Sequence, residues 1–256
     1  GKTVAGYDRT PSELTETLNK EGAQIHYEDN IALIPDSCKD KQTTLIVYTP
    51  AVPQDHSELT FFREAGFEIQ KRAQVLGTIT HSSKGLCVAG THGKTTTSTM
   101  TAHLLYQSHV GCTAFLGGIA KNYKTNLLLS ENSPYTVIEA DEFDRSFLQL
   151  FPDTAVITAM DADHLDIYGT YDAVKEAFTS FVSQIKPSGA LVLKNGVDLE
   201  ITNKDLWIYR YAYDAPCDFY AKNVTLLEGG TSGFDLVCPD RTIRGCRTGI
   251  PGWINV

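Results

Sequence analysis

Leu86-Cys87-Val88-Ala89-Gly90-Thr91-His92-Gly93-Lys94-Thr95-Thr96-Thr97 decides how this chain is read. Four apolar residues form a strand, a turn with two glycines follows at once, and a Thr-rich helix opens at Lys94. This is phosphate-binding architecture. Glycines let backbone N–H groups close on phosphate oxygens, and the helix N-terminus presents its positive dipole end. Lys94 adds a point charge, and Thr95 can offer its hydroxyl to Mg²⁺. The commonest loop of this kind has a further glycine five residues before Gly93. Val88 holds that position, so the loop is shorter than in kinases or GTPases. A glycine turn without a ligand would leave the coincidence of strand, Lys94, Thr95 and helix unexplained.

Such a loop needs an acidic group for the metal, usually at the end of a neighbouring strand. Tyr135-Thr136-Val137-Ile138-Glu139-Ala140-Asp141-Glu142 supplies one. Glu139 directly follows an apolar run, which places it at the carboxyl edge of the sheet beside the loop. Asp141, Glu142 and Asp144 read equally well as a solvated acidic turn. A third element, Asp161-Ala162-Asp163-His164-Leu165-Asp166, again leaves a strand, Ala155-Val156-Ile157-Thr158. His164 alone would be an ordinary surface histidine. On the same sheet edge as the loop it becomes a candidate for a second metal or a phosphate contact.

Outward from this centre the pattern is α/β. Thr10-Pro11-Ser12-Glu13 combines a capping hydroxyl, Pro at the first helical position and Glu three residues after the cap, and Gly22 closes the helix. Gln24 to Tyr27, Thr44 to Tyr48 and Phe67 to Ile69, the last after a short helix at Glu58 to Ala65, read as buried strands of a Rossmann-like domain over residues 1–79. The polar stretch Thr78 to Gly85 reads as a linker, with a second domain over 80–256. There, strands 86–89, 135–138, 154–158 and 191–193 alternate with helices. The helix from Tyr171 to Lys186 buries Val174, Ala177, Phe178, Phe181, Val182 and Ile185 on one face and ends at Pro187 and Gly189. From Leu206 onward, short alternating segments point to antiparallel strands added at one edge of a mostly parallel sheet with helices on both faces.

Composition narrows the function. With 256 residues, 42% of them hydrophobic and 21% charged, the chain is a folded globular protein. Lys plus Arg is 22 against 31 Asp plus Glu, a net charge of −9, which argues against nucleic-acid or anionic-membrane partners. No apolar run approaches the roughly 18 residues that span a bilayer, and Gly1 to Gly6 lacks a signal core. The six cysteines show no CxxC and no zinc spacing. Reduced thiols and a cytoplasmic location are the expectation.

Gly90 to Thr97, together with Glu139-Ala140-Asp141-Glu142-Phe143-Asp144-Arg145-Ser146-Phe147-Leu148 and Asp161 to Asp166, resembles the Mur ligase family. The similarity extends to Gly6-Tyr7-Asp8, to Gly117-Gly118 with Asn126, and to Pro251-Gly252-Trp253-Ile254-Asn255-Val256. The resemblance implies a P-loop central domain within a three-domain enzyme. It implies an ATP- and Mg²⁺-dependent reaction that joins L-alanine to the carboxylate of UDP-N-acetylmuramate for peptidoglycan precursors. Lys94, Glu139 and His164 would be catalytic. Gly90, Thr91, His92, Gly93, Lys94, Thr95, Thr96 and Asn255 would meet ATP. Thr95, Glu139 and His164 would hold metal, and Asp8, Gly117, Gly118 and Asn126 would lie near the UDP-sugar substrate. Ile254 stands where the family has His. The family's opening strand with its UDP-phosphate loop, and its C-terminal domain, are expected to be absent, leaving the segment inactive alone. Two alternatives stay open: a related ligase that reattaches recycled murein tripeptide, and a non-catalytic nucleotide-binding module.

Overall fold

The structure, a computed structural model, describes residues 1–163, 165–213 and 215–250. The chain divides into two compact units, Gly1–Leu76 and Gly77–Val256. In the first, β1 (Ala5–Tyr7) pairs in parallel with β2 (Gln24–His26), and α1 (Glu13–Lys20) lies between them in sequence. A second parallel pair joins β3 (Leu45–Tyr48) to β4 (Glu68–Lys71), with α2 (Ser57–Glu64) between. These strands are not the buried ones expected: Leu45 and Val47 are 44% and 47% exposed. A two-stranded sheet has an edge on every strand and few neighbours to cover its faces. The start of α1 also shifts. Its cap is Ser12, not Thr10, because the Ser12 hydroxyl accepts from Thr15 N while Thr15 Oγ1 accepts from Ser12 N, so a Thr closes the capping box.

α3 (Arg72–Ser82) straddles the division, and the second unit continues through β5 (Lys84–Ala89), α4 (Lys94–Gln107), β6 (Thr113–Ala120), β7 (Thr125–Leu128) and β8 (Tyr135–Glu139). Then come β9 (Thr154–Ile157), α5 (Leu165–Tyr168), α6 (Tyr171–Ser183), β10 (Ala190–Lys194), β11 (Trp207–Ala212), β12 (Phe219–Leu226), β13 (Ser232–Val237) and β14 (Thr242–Thr248). One ten-stranded sheet runs β14-β13-β12-β11-β10-β9-β5-β8-β6-β7. β12 through β6 are parallel; β13 and β14 at one end and β7 at the other are antiparallel. The expected switch to antiparallel pairing at Leu206 therefore comes later, after β12, and the β6–β7 hairpin gives the opposite edge an antiparallel strand as well.

The polar stretch read as a linker is largely helix. Its hydroxyls are satisfied locally, Ser82 and Ser83 donating to the Ile79 carbonyl, while the fully buried Thr80 donates to Gly77 O and accepts from Phe151 N. Lys186 Nζ then ties this end of the sheet together, donating to Thr80 O and Ser83 O at 2.7 Å and to Asp153 Oδ2 at 2.8 Å.

The core follows the sequence periodicity. α6 buries Val174, Ala177, Phe178, Phe181 and Val182, and Phe147 stacks on Phe181 at 4.9 Å and meets Phe178 edge-on at 5.3 Å. Each such ring contributes about 1.5–3 kcal/mol by leaving water. In β5 the successive residues Cys87, Val88 and Ala89 are all buried, so both faces of this central strand are covered. Against α4, Ala102 packs with Cys112, Ala114, Leu116, Leu128 and Val137. The carboxyl ends of β5, β8 and β9 come side by side, where an α/β sheet places its ligands.

Candidate phosphate and metal site

The loop from Gly90 to Gly93 leaves β5 and is pinned to β9. Thr158 N donates to Ala89 O at 3.0 Å, Thr91 N donates to Ala159 O at 3.1 Å, and the Thr158 hydroxyl sits between the carbonyls of Ala89 and His92. Gly90, at φ +139°, leaves no alternative residue: a Cβ there would lie 2.2 Å from Thr158 Oγ1 and 2.8 Å from Ala159 N. Gly93, at φ +83°, turns the chain into α4, whose first N–H groups have no partner within the helix. Thr91 and Asp161 lock the loop from the other side, Asp161 N donating to Thr91 Oγ1 and that hydroxyl donating to Asp161 Oδ2 at 3.2 Å. His92 is 63% exposed, its Nε2 3.8 Å from the same carboxylate. Thr96 lies half-buried in the first turn of α4.

Glu139, the last residue of β8, meets this loop. Thr95 Oγ1 donates to its Oε1 at 2.9 Å, Gly117 N donates to its Oε2 at 3.0 Å, and Ser98 Oγ lies 3.5 Å from Oε2. A hydroxyl and a carboxylate make an all-oxygen donor pair, which suits Mg²⁺, a hard cation that keeps waters and phosphate oxygens in its remaining positions. Among the described residues there is no group of three His, Cys, Asp or Glu that would form a cage of protein ligands alone. Gly117 and Gly118 of β6 lie against this pair. A Cβ on Gly117 would fall 2.4 Å from both Glu139 oxygens, and one on Gly118 would make ordinary contact with Thr95 Cγ2 at 3.4 Å.

Lys94 reaches a partner that spacing did not single out. Its Nζ donates to Glu142 Oε1 at 2.8 Å and to Gly90 O at 2.9 Å. Glu142 is 1% exposed, so it is no part of a solvated turn, whereas Asp141 is exposed and Asp144 half-buried. The Glu142 carbonyl in turn accepts from Tyr168 Oη at 2.6 Å and from Arg145 N at 2.9 Å. Burial pushes the Tyr168 phenol up to about 12, with the Arg145 guanidinium opposing and Glu142, Asp141 and Asp144 adding to the rise. Glu142 and Lys94 are 48 residues apart, joined only by the pairing of β5 with β8, and nothing local distinguishes Glu142 from its acidic neighbours. Thr158 and Asp161 were legible only as a strand end and the start of an acidic run, and their hydrogen bonds to the loop were hidden for the same reason.

Four expected site residues remain. Asn126 lies half-buried in the edge strand β7. Asp8 belongs to the first unit, where it follows β1 and accepts from Thr10 N at 3.0 Å. His164 and Asn255 fall outside the described residues. No described helix is long and apolar enough to cross a membrane.

The chain is 59% identical over its whole length to UDP-N-acetylmuramate--L-alanine ligase of Phocaeicola vulgatus and 57% identical to that of Parabacteroides distasonis, covering 56% and 55% of those proteins. It thus spans little more than half the length of these relatives. Among solved structures it is similar to Thermotoga maritima UDP-N-acetylmuramate-alanine ligase MurC, with a TM-score of 0.79 at 24% identity over 98% of this chain and 56% of that one. It is similar too to the UDP-N-acetylmuramate:L-alanyl-gamma-D-glutamyl-meso-diaminopimelate ligase from Neisseria meningitides, at 0.78 and 20% over 98% of this chain and 82% of that one. A MurF ligase of Thermotoga maritima solved with ADP shares the fold at 0.58 and 16% identity, over 84% of this chain and 59% of that one. The Mur ligase middle-domain model matches residues 88–256 and the Mur ligase catalytic-domain model residues 1–84, and on these matches the chain belongs to the Mur ligase family.

Proposed function

We propose that this chain carries the nucleotide-binding part of an ATP-dependent ligase that joins L-alanine to the lactoyl carboxylate of UDP-N-acetylmuramate, releasing ADP and phosphate in the cytoplasm. The observation that carries the reading is the convergence of Lys94, Thr95 and Glu139 on a glycine loop at the carboxyl ends of β5 and β8. The names of the relatives supply the substrates. In the first step a carboxylate oxygen attacks the γ-phosphorus and ADP leaves. In the second, the alanine amine attacks the acyl carbon, loses a proton, and the tetrahedral centre collapses with expulsion of phosphate. Neither step needs a protein nucleophile; positioning and charge neutralisation suffice. The loop N–H groups and Lys94 bind the phosphates. Thr95 and Glu139 hold Mg²⁺, which neutralises charge on the phosphates, and His164 holds a second ion. Thr91, His92, Thr96 and Asn255 are assigned to ATP binding, and Asp8, Gly117, Gly118 and Asn126 to binding of the UDP-sugar substrate.

Phosphate release by a protein of the relatives' full length that contains this chain should require UDP-N-acetylmuramate, L-alanine and Mg²⁺ together, and Lys94→Ala should lower the rate by orders of magnitude, since a charge on the transferring phosphoryl group contributes about 3 kcal/mol or more. Equal turnover without the muramoyl substrate refutes the assignment. Substituting murein tripeptide for alanine separates this reading from the recycling ligase.

A further inference from the structure

We propose that Glu142 is the positioning residue for Lys94: it holds the lysine ammonium over the loop before nucleotide arrives. The inference rests on reading Lys94 as a phosphate-binding group and adds the side chain that aims it. Two of the three donors of the ammonium are engaged, one by Glu142 Oε1 at 2.8 Å and one by Gly90 O at 2.9 Å. A lysine side chain is among the most flexible of all, and ordering it on binding weakens affinity; here that ordering has already happened. The holder is itself held. Glu142 is 1% exposed, and its carbonyl takes hydrogen bonds from Tyr168 Oη and Arg145 N. Tyr168 is 6% exposed and ends α5, so the turn after β8 is fastened from the segment that follows β9. Lys94 is thereby fixed from both neighbouring strands, by Glu142 after β8 and, through Gly90, whose neighbours Ala89 and Thr91 are hydrogen-bonded to Thr158 and Ala159, by the residues that follow β9.

Position and charge make opposite forecasts. Glu142→Asp keeps the charge but withdraws the carboxylate by one methylene; Glu142→Gln keeps the acceptor in place and removes the charge. If Glu142 positions Lys94, calorimetric titration of the 256-residue chain with ATP and Mg²⁺ should give Kd about fivefold weaker for Glu142→Asp and within about twofold of wild type for Glu142→Gln. In a Lys94→Ala background, Glu142→Asp should add nothing, because there is no ammonium left to aim. A purely structural role for Glu142 would instead add its loss in either background. The reverse order, Gln weaker than Asp, or an unchanged Kd for Glu142→Asp, overturns the proposal. Should these variants fail to fold in a thermal melt, Tyr168→Phe, which removes only the hydroxyl on the Glu142 carbonyl, must weaken Kd in the same direction; an unchanged value overturns the proposal equally. ATP binding undiminished in Lys94→Ala refutes the phosphate-loop reading beneath it, whereas loss in Lys94→Ala with no loss in Glu142→Asp refutes the positioning alone.

Discussion

Gly117→Ala separates the site from the fold. The backbone of Gly117 is not in the left-handed region, so alanine fits its conformation, but the new methyl would lie 2.4 Å from both carboxylate oxygens of Glu139. To regain an ordinary contact of 3.4 Å the carboxylate must retreat by about 1 Å, lengthening its bonds to Gly117 N at 3.0 Å and Thr95 Oγ1 at 2.9 Å. Glu139 is the mobile end of a half-buried side chain, so the fold should lose only about 1–2 kcal/mol, one off-rotamer angle and a weakened hydrogen bond. The chemistry is less forgiving: misplacing a metal-holding group by about 1 Å costs about 100-fold in rate. In a protein of the relatives' full length that contains this chain, the proposed ligase activity should fall by that order, and the Mg²⁺ concentration for half-maximal rate should rise. Gly118→Ala, whose methyl makes an ordinary 3.4 Å contact with Thr95 and leaves the Glu139 carboxylate in place, should keep the Mg²⁺ requirement close to wild type and serves as the control for that measurement. Full activity in Gly117→Ala, or an equal rise of the Mg²⁺ requirement in the two variants, would refute the idea that this glycine exists to admit Glu139.

Three further outcomes test the frame around the site. Lys186→Met removes an ammonium that ties Thr80, Ser83 and Asp153, and with both partners of the ion pair partly exposed it should lower unfolding free energy in urea by about 2 kcal/mol; a change below about 0.5 kcal/mol would show the tie to be incidental. Burial pushes the Cys87 thiol from 9.0 up to about 12, with Asp153 adding to the rise and Lys186 opposing. The native state therefore keeps a proton that the unfolded chain releases, so the contribution of this thiol to stability is level below about pH 9 and falls as pH rises from there towards 12. In the native protein at pH 8 a maleimide should label Cys38, Cys217, Cys238 and Cys246 and spare the buried Cys87 and Cys112; fast labelling of Cys87 would contradict the packing of β5.

Local chemistry wrote a good part of this protein into its sequence. The apolar run to Ala89, the glycines and Lys94 specify a strand, a turn and a helix start within a dozen residues, and the spacing of Val174 to Val182 specifies the buried face of α6, because both depend on neighbours along the chain. Polarity misled where side chains satisfy themselves: Thr80 and Ser83 resemble a linker until their hydroxyls find backbone partners in α3. The direction of β11 and β12 was equally hidden, since a half-exposed strand alternates in the same way whether its neighbour runs parallel or antiparallel. At the site, the loop, Glu139 and its place at a strand end were visible as types of residue in types of element. Which acid meets Lys94, why Gly117 must lack a side chain, and that Thr158 staples the loop were decided only by the order of β8, β5 and β9 in the sheet. Parallel pairing brings together the ends of strands dozens of residues apart, and no property of Glu142 in its own neighbourhood distinguishes it from Asp141 until that pairing places it, buried, beside an ammonium.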